Sequence, residues 1–166
     1  MSKLTWLPKS IKNILRQTRN VLRQYLQYIK LKSLAHKKLK RIVIGSSGTH
    51  FNGWVSTDQE VLNLLDKKSW ATFFEPNSLD AILAEHVWEH LYPHEAIIAA
   101  MTCYTFLKPG GYIRVAVPDG LHPDQSYISA VRPGGTGAGA DDHKVLYTND
   151  TFRDIFINSG FDVNLQ

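Results

Sequence analysis

The residues best suited to chemistry gather in a few short stretches. His86-Val87-Trp88-Glu89-His90, with His94 four positions on, supplies imidazoles and a carboxyl at close spacing. Gly45-Ser46-Ser47-Gly48 is a glycine turn, where the backbone can approach a ligand with no side chain in the way. Asp58, Asp66, Glu85 and Asp119 add carboxylates, and His143 adds a further imidazole beyond a glycine-rich stretch. A carboxylate can accept two hydrogen bonds from a vicinal diol. An imidazole that is neutral near pH 7 can take a proton from a hydroxyl.

The elements that must position these groups are legible around them. Ala81–Ala84 is an apolar run of strand length ending at Glu85-His86. Ala96, Ile97, Ala100, Met101, Tyr104 and Leu107 then recur at three- and four-residue steps, which predicts a helix with that face buried. Lys108-Pro109-Gly110-Gly111 ends it, and the alternation of Ile113, Val115 and Val117 predicts a strand over 112–117, leading to Pro118-Asp119. Strand, crossover helix and strand make a βαβ unit with parallel strands, and ligands bind beyond the carboxyl ends of such strands.

Upstream, Leu39–Ile44 reads as a first strand running into Gly45, and Trp54–Thr57 as a second ending at Asp58. Val61–Leu65 reads as a third ending at Asp66. The links between them are far shorter than the dozen or more residues that usually join parallel neighbours, which implies minimal crossovers or one strand too many. Downstream, 122–142 carries Gly134, Gly135, Gly137 and Gly139 with no sustained period, the pattern of a lid or substrate loop. Phe152, Ile155 and Phe156 predict a helix capped by Thr148 or Asn149 and ended by Gly160, with a strand from Phe161 to Leu165.

Charge divides the chain. Twelve of the 19 Lys and Arg fall within residues 1–41, where there is no acid, leaving seven against all 15 Asp and Glu in the remainder. Ile11, Ile14, Leu15, Leu22, Tyr25, Leu26 and Ile29 form one stripe of a helix whose other faces carry Lys and Arg. The expected organisation is a basic amphipathic helical arm over 1–38 and a single α/β domain over 39–166. Such an arm can pack on its own domain, or make a peripheral contact with an anionic membrane surface or a protein. No RNA- or DNA-reading motif accompanies it, so no specific nucleic acid is expected. The lone Cys103 excludes an intrachain disulfide and reads as a buried structural thiol in a reducing, cytoplasmic compartment. No apolar run approaches the ~20 residues needed to span a bilayer.

Taken together, Ile44–Asp58, Leu79–Leu91, Leu107–Asp119 and the helix–Gly–Phe–strand pattern over 152–165 resemble a class I S-adenosylmethionine-dependent methyltransferase of type 11 character. The LKPGGYIRVAVPD stretch is the most characteristic. The resemblance implies a Rossmann-like, mostly parallel sheet with flanking helices. It also implies S-adenosylmethionine as cofactor, with Gly45, Ser46 and Gly48 near its methionine and ribose part, Asp58 on the ribose hydroxyls, Asp66 or a neighbour by the adenine and Glu85-His86 facing it. The implied reaction is methyl transfer to a small-molecule or glycan acceptor, with His86, Asp119 and His143 as candidate catalytic groups. The family fold finishes with a strand hairpin, and this chain reaches Gln166 before any such strand, so the final strands are expected to be missing.

Two other readings come from different classes. One is a methyltransferase-like binding module without turnover, docking through its basic arm. The other takes His86-x-x-Glu89-His90 as the H-x-x-E-H pattern of inverted zinc peptidases, in which both imidazoles bind zinc and the glutamate activates water. That pattern requires a continuous helix, whereas His86 follows a strand directly and Pro93 interrupts before His94. No metal centre is expected.

Overall fold

The computed structural model describes residues 7–165. Its elements run α1 (Lys9–Ala35), β1 (Arg41–Ile44), β2 (Val55–Ser56), α2 (Lys67–Ala71), β3 (Leu79–Glu85), α3 (Pro93–Phe106), β4 (Leu107–Ala116), α4 (Gln125–Val131) and α5 (Asn149–Asn158). The four strands form one parallel sheet in the order β2-β1-β3-β4. This is the expected α/β architecture.

Side-chain pattern explains the layering. Ile42, Val43 and Ile44 in β1 and Ala81–Ala84 in β3 are buried, because helices and loops cover both faces of these central strands. In β4 exposed and half-buried residues alternate, as suits a strand at the sheet edge with one face toward water. The core gathers Leu62, Trp70, Phe74, Ile82, Trp88 and Phe156, with Leu31 and Leu34 from the C-terminal part of α1 inserted into it. Residues 9–22 of α1 are exposed, so the first half of that helix contributes nothing to the buried core.

Several expectations need correction. The first strand begins at Arg41, not Leu39, which is half exposed. Val61–Leu65 is not a strand: Val61 and Leu62 both donate their N–H to the Asp58 carbonyl, so the chain turns back at once. Two residues between Asp58 and Val61 cannot form a parallel crossover. The link from β1 to β2 manages the crossover with tight turns alone, closed by Thr49 N to Ser46 O and Trp54 N to Phe51 O. Phe161–Leu165 is irregular chain, with Phe161 held edge-on by Phe156 and Tyr104.

α3 ends at Phe106, before the Leu107 and Lys108 expected in its last turn, β4 takes over at once from Leu107 instead of Tyr112, and the buried face of the helix is rotated. Ala96, Ala99, Ala100, Cys103 and Phe106 are buried, while Ile97, Met101 and Tyr104 are exposed. The helix is apolar on more than one side, so several stripes satisfy the same period. The small residues win the sheet-facing side because they let the helix axis approach closely. The 122–142 segment holds α4 and then folds back on it. A Cβ on Gly135 would stand 2.4 Å from the Ala130 carbonyl oxygen, so only glycine permits the return.

Candidate functional site

The carboxyl ends of β1 and β2 meet at Asp58. β1 stops at Gly45, whose φ of +61° lies in the left-handed region and whose absent Cβ leaves room for Val87. Ser46 N then donates to Thr57 O at 3.1 Å, and Ser47 adopts φ +46°, a conformation uncommon for a residue with a side chain. This turn aims its donors at Asp58. Oδ1 accepts from Ser47 N at 2.9 Å and from Ser46 Oγ at 3.2 Å.

The other oxygen is taken by the arm. Gln27 Nε2 donates to Asp58 Oδ2 at 2.7 Å, and Arg23 donates to the same oxygen. Asp58 is buried, and burial by itself would raise its pKa. The hydrogen bonds from Arg23, Gln27 and Ser47 N outweigh that and hold the carboxyl below its ordinary 3.8. Sequence reading did not connect Arg23 or Gln27 with this carboxylate. Only their placement on one side of a helix, four residues apart, hints that they could act on one target.

At the end of β3, Glu85 pairs with Arg114 of β4. His86 N still bonds to Ala116 O at 2.9 Å, continuing the sheet, yet its φ is +54°. That turn sends the chain into a 3-10 turn at Trp88–His90 and leaves the His86 side chain 71% exposed. Its Nδ1 lies 3.0 Å from Oε1 of Glu89, which is buried. A buried carboxyl behind an exposed imidazole fixes the ring and favours the proton on Nδ1, leaving Nε2 to accept one. The signal for this pairing was the His-x-x-Glu spacing itself.

His143 is brought to the same place from far along the chain. Lys144 N and Val145 N donate to Glu89 O at 2.6 and 3.3 Å, fastening this loop to the 3-10 turn. The His90 and His143 rings then meet edge to face, with centroids 4.8 Å apart. Tyr147 lies alongside, its hydroxyl pushed up to about 12 by burial and by the neighbouring Glu89. Asp119 is exposed past β4, forms an isolated bridge to Tyr147 and uses Oδ1 to accept from Leu121 N at 2.8 Å.

The expected residues thus fall into two groups. Gly45, Ser46, Gly48 and Asp58 share one cradle, while His86, Glu89, His90 and His143 form a connected cluster beside β3. Asp66 belongs to neither. It is exposed and caps α2, accepting from Lys68 N at 2.9 Å. The zinc-peptidase geometry is not formed, since Trp88–His90 is a 3-10 turn and His86 turns with positive φ, so the motif has no continuous helix.

No family model matches the chain. No curated protein matches it either. Among solved structures it is similar to a SAM-dependent methyltransferase from Archaeoglobus fulgidus, at 18% identity and a TM-score of 0.53, over 89% of this chain and 69% of the other. At that identity the likeness establishes the fold.

Proposed function

We propose that this Rossmann-like α/β chain binds S-adenosylmethionine at the carboxyl ends of β1, β2 and β3 and transfers its methyl group to a small-molecule or glycan hydroxyl. The observation that carries the reading is the Asp58 carboxylate, held at the end of β2 by the Ser46-Ser47 turn. The donor set fits the cofactor. A buried carboxylate held ionised at a strand end can accept both hydroxyls of a ribose diol once Arg23 and Gln27 share or yield Oδ2, and an added Cβ at Gly48 would meet nothing within 4 Å. Gly45, Ser46, Gly48 and Asp58 would hold the ribose and methionine portions, with Glu85 near them. Asp66 is not needed in this set, because its carboxylate caps α2.

When bound, the sulfonium supplies an already activated methyl group, so the protein's main task is alignment. His86, braced by Glu89, would accept the proton of the acceptor hydroxyl. A positioned base of this kind contributes ~10²–10⁴-fold. Asp119, exposed past β4, and His143, packed against the His90 ring, would be the further candidates for contact with the acceptor. A cytoplasmic protein acting on a soluble acceptor agrees with this chemistry, and none of the described helices is long and apolar enough to cross a membrane.

One observation favours a second reading, a binding module without turnover. Asp58 Oδ2 is already engaged by Arg23 and Gln27 of the same chain. Thermal unfolding with S-adenosylmethionine or S-adenosylhomocysteine separates the outcomes. A raised midpoint that disappears in Asp58→Ala supports the cofactor site, and methyl release to an acceptor pool then separates enzyme from module. No shift in a chain that still unfolds cooperatively would reject both.

A further inference from the structure

We propose that Glu89, His90 and His143 form a binding site for one divalent transition-metal ion of the zinc type, which ties the 3-10 turn after β3 to the loop following α4. One ligand atom from each of the three lies within 4.8 Å of the others. In a tetrahedral zinc site with bonds of 2.0–2.2 Å, ligand atoms stand about 3.3 Å apart. The cluster therefore has to contract by roughly an ångström and a half at most, on a loop rather than within the sheet.

Unpaired polar atoms point to the same spot. Among the described residues, Glu89 Oε2 and Tyr147 Oη are buried and have no hydrogen-bond partner, His90 Nδ1 has only the Asp142 carboxylate at 3.3 Å, and the Glu89 residue is only 1% exposed. Leaving a buried carboxyl oxygen without a partner is costly, so something must satisfy it. His143 is set up as a ligand. Its Nδ1 lies 2.6 Å from Val131 O, and facing a carbonyl that nitrogen must carry the proton, which frees the Nε2 lone pair. A backbone carbonyl behind a ligating imidazole is the usual outer support of such rings. Glu89 is supported in the same way, with Oε1 held by His86 while Oε2 is free.

Two imidazoles and one carboxylate suit zinc, cobalt or nickel and not magnesium or calcium, which prefer all-oxygen sites. Asp142 stands at the rim, its Oδ2 3.3 Å from His90 Nδ1 and its Oδ1 paired with Lys144. His86 is outside the proposed ligand set, so this is a different site from the H-x-x-E-H pattern. It also stands independently of the methyl-transfer reading.

The test is metal binding by the untagged full chain after chelator treatment. Titration with Zn²⁺ and with Co²⁺ should give one equivalent each, with the intense visible bands of tetrahedral Co²⁺, and Mg²⁺ should not compete. His90→Ala and His143→Ala should each weaken Zn²⁺ by at least ~100-fold, the upper end of what losing a mere outer-shell partner costs. His122→Ala, remote from the cluster, should leave Zn²⁺ binding unchanged, and His86→Ala should keep the one-to-one stoichiometry at ~10–100-fold lower affinity, because His86 holds Glu89 Oε1. Absence of saturable binding to a folded chain, or Zn²⁺ binding unaffected by both His90→Ala and His143→Ala, overturns the proposal, as does octahedral Co²⁺ held only weakly. Circular dichroism on each variant shows that it is folded. Because both histidines are partly exposed, their replacement does not open the core as a change at Glu89 would.

Discussion

Arg23 donates from the middle of α1 to Asp58 Oδ2, across 35 positions of sequence, and Gln27 donates to the same oxygen from one turn further on. A ribose diol at Asp58 would have to share or replace those donors. Arg23→Ala is therefore expected to bind S-adenosylhomocysteine more tightly, by an amount of the order of tenfold, equivalent to ~1.4 kcal/mol. Calorimetric titration checks it. An unchanged dissociation constant would mean that the ligand reaches the site without displacing Arg23.

The same carboxylate sets an acid limit on stability. Asp58 is held below its ordinary 3.8 in the folded chain, as is Asp80, where the donors Lys108 Nζ and Lys40 N outweigh burial. A folded-state pKa below the unfolded one means that the unfolded chain binds more protons in the window between them. The stabilisation is fully present above about pH 4, the unfolded carboxyl range, and is lost as pH falls through the lower folded values. Urea midpoints measured between pH 6 and pH 3 should fall steeply for the wild type and less for Asp58→Asn. Parallel profiles for the two proteins would remove Asp58 from this account.

Gly45→Ala should destabilise the fold by about 1–3 kcal/mol, combining a left-handed backbone with overpacking. The added Cβ would stand 2.6 Å from Val87 Cγ2. Pairing it with Val87→Ala should recover only part of the loss, since removing the methyl groups relieves the clash but not the φ of +61°. Full recovery in urea unfolding would show that the backbone contributes nothing.

Cys103 is fully buried in α3 and burial pushes its thiol well up. It should resist an aromatic disulfide reagent in the native protein and react at the rate of global unfolding. Rapid native-state labelling would mean that α3 opens separately from the sheet.

Much of this architecture could be read where neighbouring residues decide it. Phe106 ends α3 because Pro109 and two glycines follow closely, and a Cβ at Gly111 would press on the Leu79 and Asp80 carbonyl oxygens at 3.1 Å, where the β3–β4 register shifts. Asp58 and His86 were placed at strand ends for the same local reason. The Val61–Leu65 error had a local cause too: Leu62 and Leu64 are buried as a strand would bury them, but in a turn that leads to α2. What stayed hidden depends on distant partners. Nothing near His143 announces Glu89, and nothing near Asp58 announces Arg23, because each pairing is made by packing of elements remote in sequence.

Residues 9–22 of α1 are exposed while Gln27, Leu31 and Leu34 are buried, so one continuous helix joins an exposed surface to the Asp58 carboxylate. Exposed Ile14, Val21 and Leu22 lie on this part of the helix among Arg16 and Arg19. A partner that grips this surface only when the helix has tilted away from Asp58 would free Oδ2, and a ligand that claims Oδ2 would in turn favour the tilted helix. Linkage requires the two effects to be equal: whatever factor the partner adds to ligand affinity, the ligand adds to partner affinity. The arm would then report on the state of the cradle to the outside of the molecule as faithfully as it acts upon it.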